Sequence, residues 1–87
     1  MKRVLILLSN GLEIYEAAAF IDVLGWGNTF GSDPVEIATA GMHPKLTSTF
    51  GLQVIPSMEV SQVETATFDA LAIPGGFEAA GFYEDAY

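Results

Sequence analysis

The stretch KRVLILLSNGLEIYEAA, Lys2 to Ala18, decides the fold. From Arg3 to Leu8 it is an almost unbroken aliphatic run, without the alternation of a half-solvated strand. Both faces of such a strand require burial, as in the middle of a parallel sheet. Ser9, Asn10 and Gly11 break the run, and a helical pattern follows. Ala17, Phe20, Ile21 and Leu24 recur at i, i+3, i+4 and i+7, with Glu16 and Asp22 off the centre of the stripe. The pattern predicts a central strand, a turn and a helix from about Glu13 to Trp26. Gly25, Gly27 and Asn28 tolerate positive φ and are expected to stop that helix.

Further along, Val35 to Thr39 reads as a second short strand, completing a strand, helix, strand unit that favours a parallel pair. Between Gly41 and Pro56 the pattern changes: Thr47 to Phe50 and Leu52 to Ile55 flank Gly51 and predict a small antiparallel excursion outside the main sheet. Ser61 to Thr67 reads as a short helical turn or loop. Asp69 to Ile73 gives a third core strand, ended sharply by Pro74, Gly75 and Gly76. The acidic, aromatic tail from Phe77 to Tyr87 follows, its Phe77, Phe82, Tyr83 and Tyr87 reading as core or partner contacts.

Composition narrows the class. The 87 residues are 51% hydrophobic and 16% charged, which is too apolar for a disordered chain. A chain of this size folding alone hides only about 60–65% of its unfolded surface, so so oily a composition implies missing cover. Strands apolar on both faces need helices on both faces, yet only one well-formed helix is legible. One face of the sheet is therefore expected to be bare, and residues 1–87 to be the first part of a larger α/β domain. A segment that follows, a second chain or a partner subunit would complete it; homodimerisation of the chain by itself is the plainer alternative.

The net charge of −8, with three basic residues against eleven acids, repels phosphate backbones and excludes direct nucleic-acid binding from the expected partners. There is no cysteine, hence no disulfide, thiolate metal site or thiol nucleophile within these residues. The apolar run Val4 to Leu8 is too short for a signal peptide or a membrane span. A cytoplasmic setting and no membrane partner are the expectation. His43 is the sole histidine, stands before Pro44 and has no clustered ligands, so no metal site is expected. The loop Ser9 to Glu16 has one glycine, no lysine and two acids, unlike a phosphate-binding loop.

In open parallel sheets, ligands sit beyond the carboxyl ends of the strands where chain order reverses. If the third strand returns to the free side of the first, the crevice lies between Ser9–Ile14 and Pro74–Phe77. Glu13 and Glu16, three apart, then share the first helical turns. Gly75 and Gly76 allow close approach and can aim N–H groups at a developing oxyanion. Asn10, Gly11, Glu13 and Phe77 are the expected substrate-side residues. Each element also has a plain reading: acids complement a helix N-terminus, and Pro-Gly-Gly after a strand is commonly just a turn.

With these residues in hand, the chain resembles the N-terminal half of the ThiJ/PfpI superfamily, which includes the Parkinsonism-associated deglycase and the intracellular PfpI proteases. KRVLILLSNGLEIYEAA, FIDVL, STFGLQVIPSMEV and FDALAIPGG carry the resemblance in order and spacing. It implies a flavodoxin-like (Rossmann-like) α/β three-layer sandwich with a mostly parallel sheet. It also implies that Glu16 lies beside a nucleophilic cysteine on a strained elbow, with Gly75 and Gly76 helping to form the oxyanion site. That cysteine would come from the C-terminal half of the domain or from a second chain. The implied activity is attack of a low-pKa thiolate on a small carbonyl compound, of glyoxalase, deglycase or hydratase type, with Glu16 as acid/base and no cofactor. A homodimer built partly on the first helix or the hairpin is the family-based expectation. Trp26 and Phe50 stand where the deglycase has arginines, so the resemblance implies a more apolar pocket and disfavours anionic substrates. The competing reading is a non-catalytic stress-response or ligand-sensing module using the same crevice.

Overall fold

The computed structural model describes residues 2–31 and 34–76; Phe77 and the rest of the tail, named above as candidate substrate and partner contacts, lie outside the described residues. The aliphatic run forms β1 (Lys2–Leu8), followed by α1 (Ile14–Phe30) and β2 (Val35–Gly41). Three two-residue strands come next, β3 (Leu46–Thr47), β4 (Gln53–Val54) and β5 (Met58–Glu59), then 3₁₀ turns at Val60–Gln62 and Thr65–Thr67, and β6 (Ala70–Ala72).

The main sheet has the order β5-β2-β1-β6 and all its pairs are parallel. β1 is central, with Val4 opposite Ile37 on one side and Ala70 on the other. The antiparallel β3–β4 hairpin stands apart from it, as its sequence predicted. β5 was not foreseen. It joins the edge of β2 through a reciprocal hydroxyl clasp in which Thr39 N–H donates to Ser57 Oγ at 3.0 Å and Ser57 N–H donates to Thr39 Oγ1 at 2.8 Å. At the other end of β1, Arg3 fastens β6. Arg3 N–H donates to Asp69 Oδ2 and Asp69 N–H to Arg3 O, both at 2.8 Å, while the guanidinium stands 4.4 Å over the Phe68 ring.

β1 does bury both faces. Ile6, Leu8, Leu12, Ala17 and Leu46 form one cluster under the start of α1. Leu5, Ala38 and Ala40 form a second on the opposite face. The expectation of a bare face is corrected here: Met58, Val60, Val63 and Phe68 pack against the second cluster, so β5 and the 3₁₀ segment cover part of it without a helix. The expected helix stripe is corrected as well. Ala17 is buried, but Phe20 and Ile21 are 39% and 40% exposed, and Tyr15, Val23 and Trp26 on other faces are more exposed still. A helix apolar all round is one built to be covered on more than one side.

The helix also runs four residues past the expected stop at Trp26. A glycine inside a helix costs only about 1 kcal/mol relative to alanine, and tertiary contacts offset that. Asn28 provides such a contact: its Nδ2 donates to Val35 O and its Oδ1 accepts from Val35 N–H, so the last turn holds the first residue of β2. The helix instead ends at Gly31, whose N–H reaches Gly27 O at 2.6 Å.

Two measurements check this account. Asn28→Ala, which leaves the Val35 peptide without that partner, should lower unfolding free energy in urea by about 1–2 kcal/mol. Gly25→Ala should raise it by about 0.5–1 kcal/mol, because a Cβ at that position meets nothing within 4 Å. A loss on Gly25→Ala would show that the helix is not continuous there.

Candidate functional site

Because β6 lies on the opposite side of β1 from β2, the loops leaving β1 and β6 part company at their carboxyl ends. This is where a crevice was expected. The two loops are joined directly. Leu12 bridges to Gly76 in antiparallel fashion, and Glu13 N–H donates to Gly75 O at 2.8 Å. Gly75 N–H in turn donates to Glu16 Oε1 at 2.8 Å. Glu13 is the N-cap of α1, so Glu16 falls in the first turn and reaches the Pro74–Gly76 loop. Pro74 is fully buried and anchors that loop.

The β1–α1 loop is shaped by the hairpin, a contribution that sequence reasoning missed. Gly11 N–H donates to Thr47 O at 2.8 Å, and Asn10 Oδ1 accepts Thr47 N–H at 2.9 Å. Thr49 N–H donates to Leu12 O at 2.9 Å, while its Oγ1 donates toward Gly11 O at 2.8 Å and Leu12 O at 3.0 Å. Gly11 has φ +76°, in the region that favours glycine, so the turn out of β1 depends on that residue type. Ser48 is buried between these contacts. The run Thr47-Ser48-Thr49, three hydroxyls before a glycine turn, was the signal available for this clamp.

Of the expected site residues, Glu16, Gly75, Gly76, Glu13, Asn10 and Gly11 thus come together around one junction. Asn10 and Gly11 meet the hairpin backbone. A groove of about 310 Å³ opens between the loop and the hairpin, bordered by Glu13, Tyr15, Ser48, Thr49, Phe50 and Leu52. A second groove of about 480 Å³, apolar-walled apart from Glu16, runs along α1 from Tyr15 and Glu16 to Val23 and Leu24. Glu16 is exposed between them. Trp26 and Phe50 are 61% and 94% exposed. Among the described residues no cluster of acids and histidine could hold a metal ion, and no helix is long and apolar enough to cross a membrane.

The sequence pattern of the DJ-1/PfpI family matches residues 2–86. Among solved structures, the chain is similar to oxidized DJ-1 of Toxoplasma gondii, with 28% identity and a TM-score of 0.76 over 90% of this chain and 40% of that one. A DJ-1 superfamily protein of Agrobacterium tumefaciens matches at 31% identity and TM-score 0.65, over 87% of this chain and 38% of that one. An AraC family transcriptional regulator of Pseudomonas putida shares the fold at 21% identity and TM-score 0.75, over 88% of this chain and 48% of that one. No curated protein gives a significant match. The chain therefore spans less than half the length of the structures it resembles, consistent with the N-terminal half of their α/β fold. A match from residue 2 to residue 86, on a parallel sheet whose switch point holds the glutamate and the glycine pair, places this chain in the DJ-1/PfpI family.

Proposed function

We propose that the chain supplies half of the active site of a cysteine-dependent enzyme acting on small carbonyl compounds, of glyoxalase, deglycase or hydratase type. The observation that carries this reading is the Glu16 carboxylate, held at the sheet's switch point by Gly75 N–H while its side chain stays exposed. A carboxylate so placed can exchange a proton with a group arriving from outside these residues. The nucleophilic cysteine comes from the C-terminal half of the domain or from a second chain.

In the proposed first step, Glu16 accepts the thiol proton and the sulfur attacks the carbonyl carbon. The S–C bond forms as the C=O π pair moves onto oxygen, and the proton returns to that oxygen to give a hemithioacetal. The Gly75–Gly76 loop borders the place where that negative charge develops, and because Gly75 N–H is taken by Glu16, the Gly76 N–H is the proposed donor to it. Asn10 and Gly11 hold the loop under the substrate, and Glu13 borders the groove beside it. The net charge of −8 and the exposed Trp26 and Phe50 favour a neutral, compact substrate over an anionic one. A thiolate nucleophile requires a reducing compartment, so a cytoplasmic setting belongs to the same proposal. So does a homodimer using α1 or the hairpin, supported by the exposed Tyr15, Val23 and Phe50.

The test is turnover of methylglyoxal by the protein carrying the rest of the domain. Glu16→Gln should lower kcat/KM by about 10²-fold or more while circular dichroism stays unchanged. Full activity in Glu16→Gln would remove the acid/base role. A wild-type protein that turns over no small carbonyl compound would favour the ligand-sensing reading instead.

A further inference from the structure

Gly75 is not a glycine for reasons of backbone conformation. Among the described glycines only Gly11 and Gly51 have positive φ. What a side chain at residue 75 would meet is the Glu16 carboxylate, which would have to move from its place to admit it. A Cβ built there would lie 2.9 Å from Glu16 Oε1, 3.3 Å from Oε2 and 3.4 Å from Cδ. The whole carboxylate therefore rests against the bare α-carbon of Gly75. The adjoining peptide groups are gripped from both sides, since Gly75 N–H donates to Oε1 and Gly75 O accepts from Glu13 N–H, each at 2.8 Å.

Glu16 otherwise stands on an exposed helix surface, where a side chain with several rotatable bonds would sample many rotamers. One charge-assisted hydrogen bond and one flat contact, both from Gly75, select a single arrangement. An N–H already donating to a carboxylate is also a poor donor to a second anion, which would have to sit beside that charge.

We propose that Gly75 is a positioning residue for Glu16: its amide occupies Oε1, its missing side chain lets the carboxylate lie flat, and Oε2 is the oxygen presented to the reacting group. Oxyanion stabilisation then falls to Gly76, not to Gly75. The inference rests on the acid/base reading of Glu16 for its catalytic part, but its geometric part stands without turnover.

The experiment is a double-variant cycle of Gly75→Ala and Glu16→Ala in the protein carrying the complete domain, read by melting temperature, by the ¹H–¹⁵N resonance of residue 75 and by steady-state kinetics. Gly75→Ala alone keeps the N–H and suffers no positive-φ strain. It should nevertheless lower kcat at least tenfold with KM little changed, and lower the melting temperature. In the Glu16→Ala background the same change should cost nothing further in either quantity. Should Gly75→Ala fail to fold, the double variant should recover folding, because the clash is gone. Glu16→Gln should move the residue 75 amide proton upfield as the charged acceptor is lost. Additive losses in the cycle, an unmoved amide resonance, or a Gly75→Ala enzyme with wild-type kcat would each overturn the proposal. If the wild type turns over no carbonyl compound, the melting and resonance arms still decide the geometry, and only the functional reading falls.

Discussion

The hydrogen bond from Gly75 N–H to Glu16 Oε1, backed by Glu13 N–H to Gly75 O, is the joint on which the site depends. It ties the first turn of the helix leaving β1 to the loop leaving β6. It exists only because β6 returns to the side of β1 not taken by β2. That return is fixed at the far end of the strands by Arg3, whose backbone and guanidinium engage Asp69, Thr67 O and Phe68. The placement of one carboxylate thus follows from the pairing of a three-residue strand.

The second constraint is how much apolar surface the chain leaves in water. Tyr15, Val23 and Trp26 on the helix, Phe50 and Ile55 on or beside the hairpin, and Leu71 and Ile73 on or just after β6 are all more than half exposed. Burying one large apolar side chain fully is worth about 1.5–3 kcal/mol. Covering several of them is therefore a strong driving force for union with the rest of the domain or with a partner. The grooves along α1 and beside the hairpin both touch this surface and both reach Glu16 or Glu13.

Much of this was legible in the residues. The unbroken run Val4 to Leu8 specifies a central parallel strand because no solvated face interrupts it, and the three strands with one helix predict loops that meet at Ser9–Ile14 and Pro74–Phe77, of which the part up to Gly76 lies within the described residues. Gly25 and Gly27 misled because a helix-breaking preference of about 1 kcal/mol is small beside a tertiary clasp such as Asn28 on Val35. β5 escaped notice because two residues, Met58 and Glu59, carry no periodicity; its pairing is organised by Thr39 and Ser57, eighteen residues apart. The partial cover of the second face comes from Met58 of β5 and from Val60, Val63 and Phe68 in and around the 3₁₀ turns, which carry no helical stripe. The clamp of Thr47 and Thr49 on the β1–α1 loop is a matter of backbone partners, which the sequence states only as a cluster of hydroxyls.

The central claim is that Glu16 is aimed, by Gly75, at a thiol supplied from outside these residues. A high-resolution crystal structure of the protein with the remainder of its domain in place measures this directly. The account predicts a cysteine Sγ within hydrogen-bonding reach of Glu16 Oε2, with Oε1 still taking the Gly75 N–H. A carboxylate turned to solvent with no cysteine beside it, or a Gly75 amide released from Glu16, would contradict it.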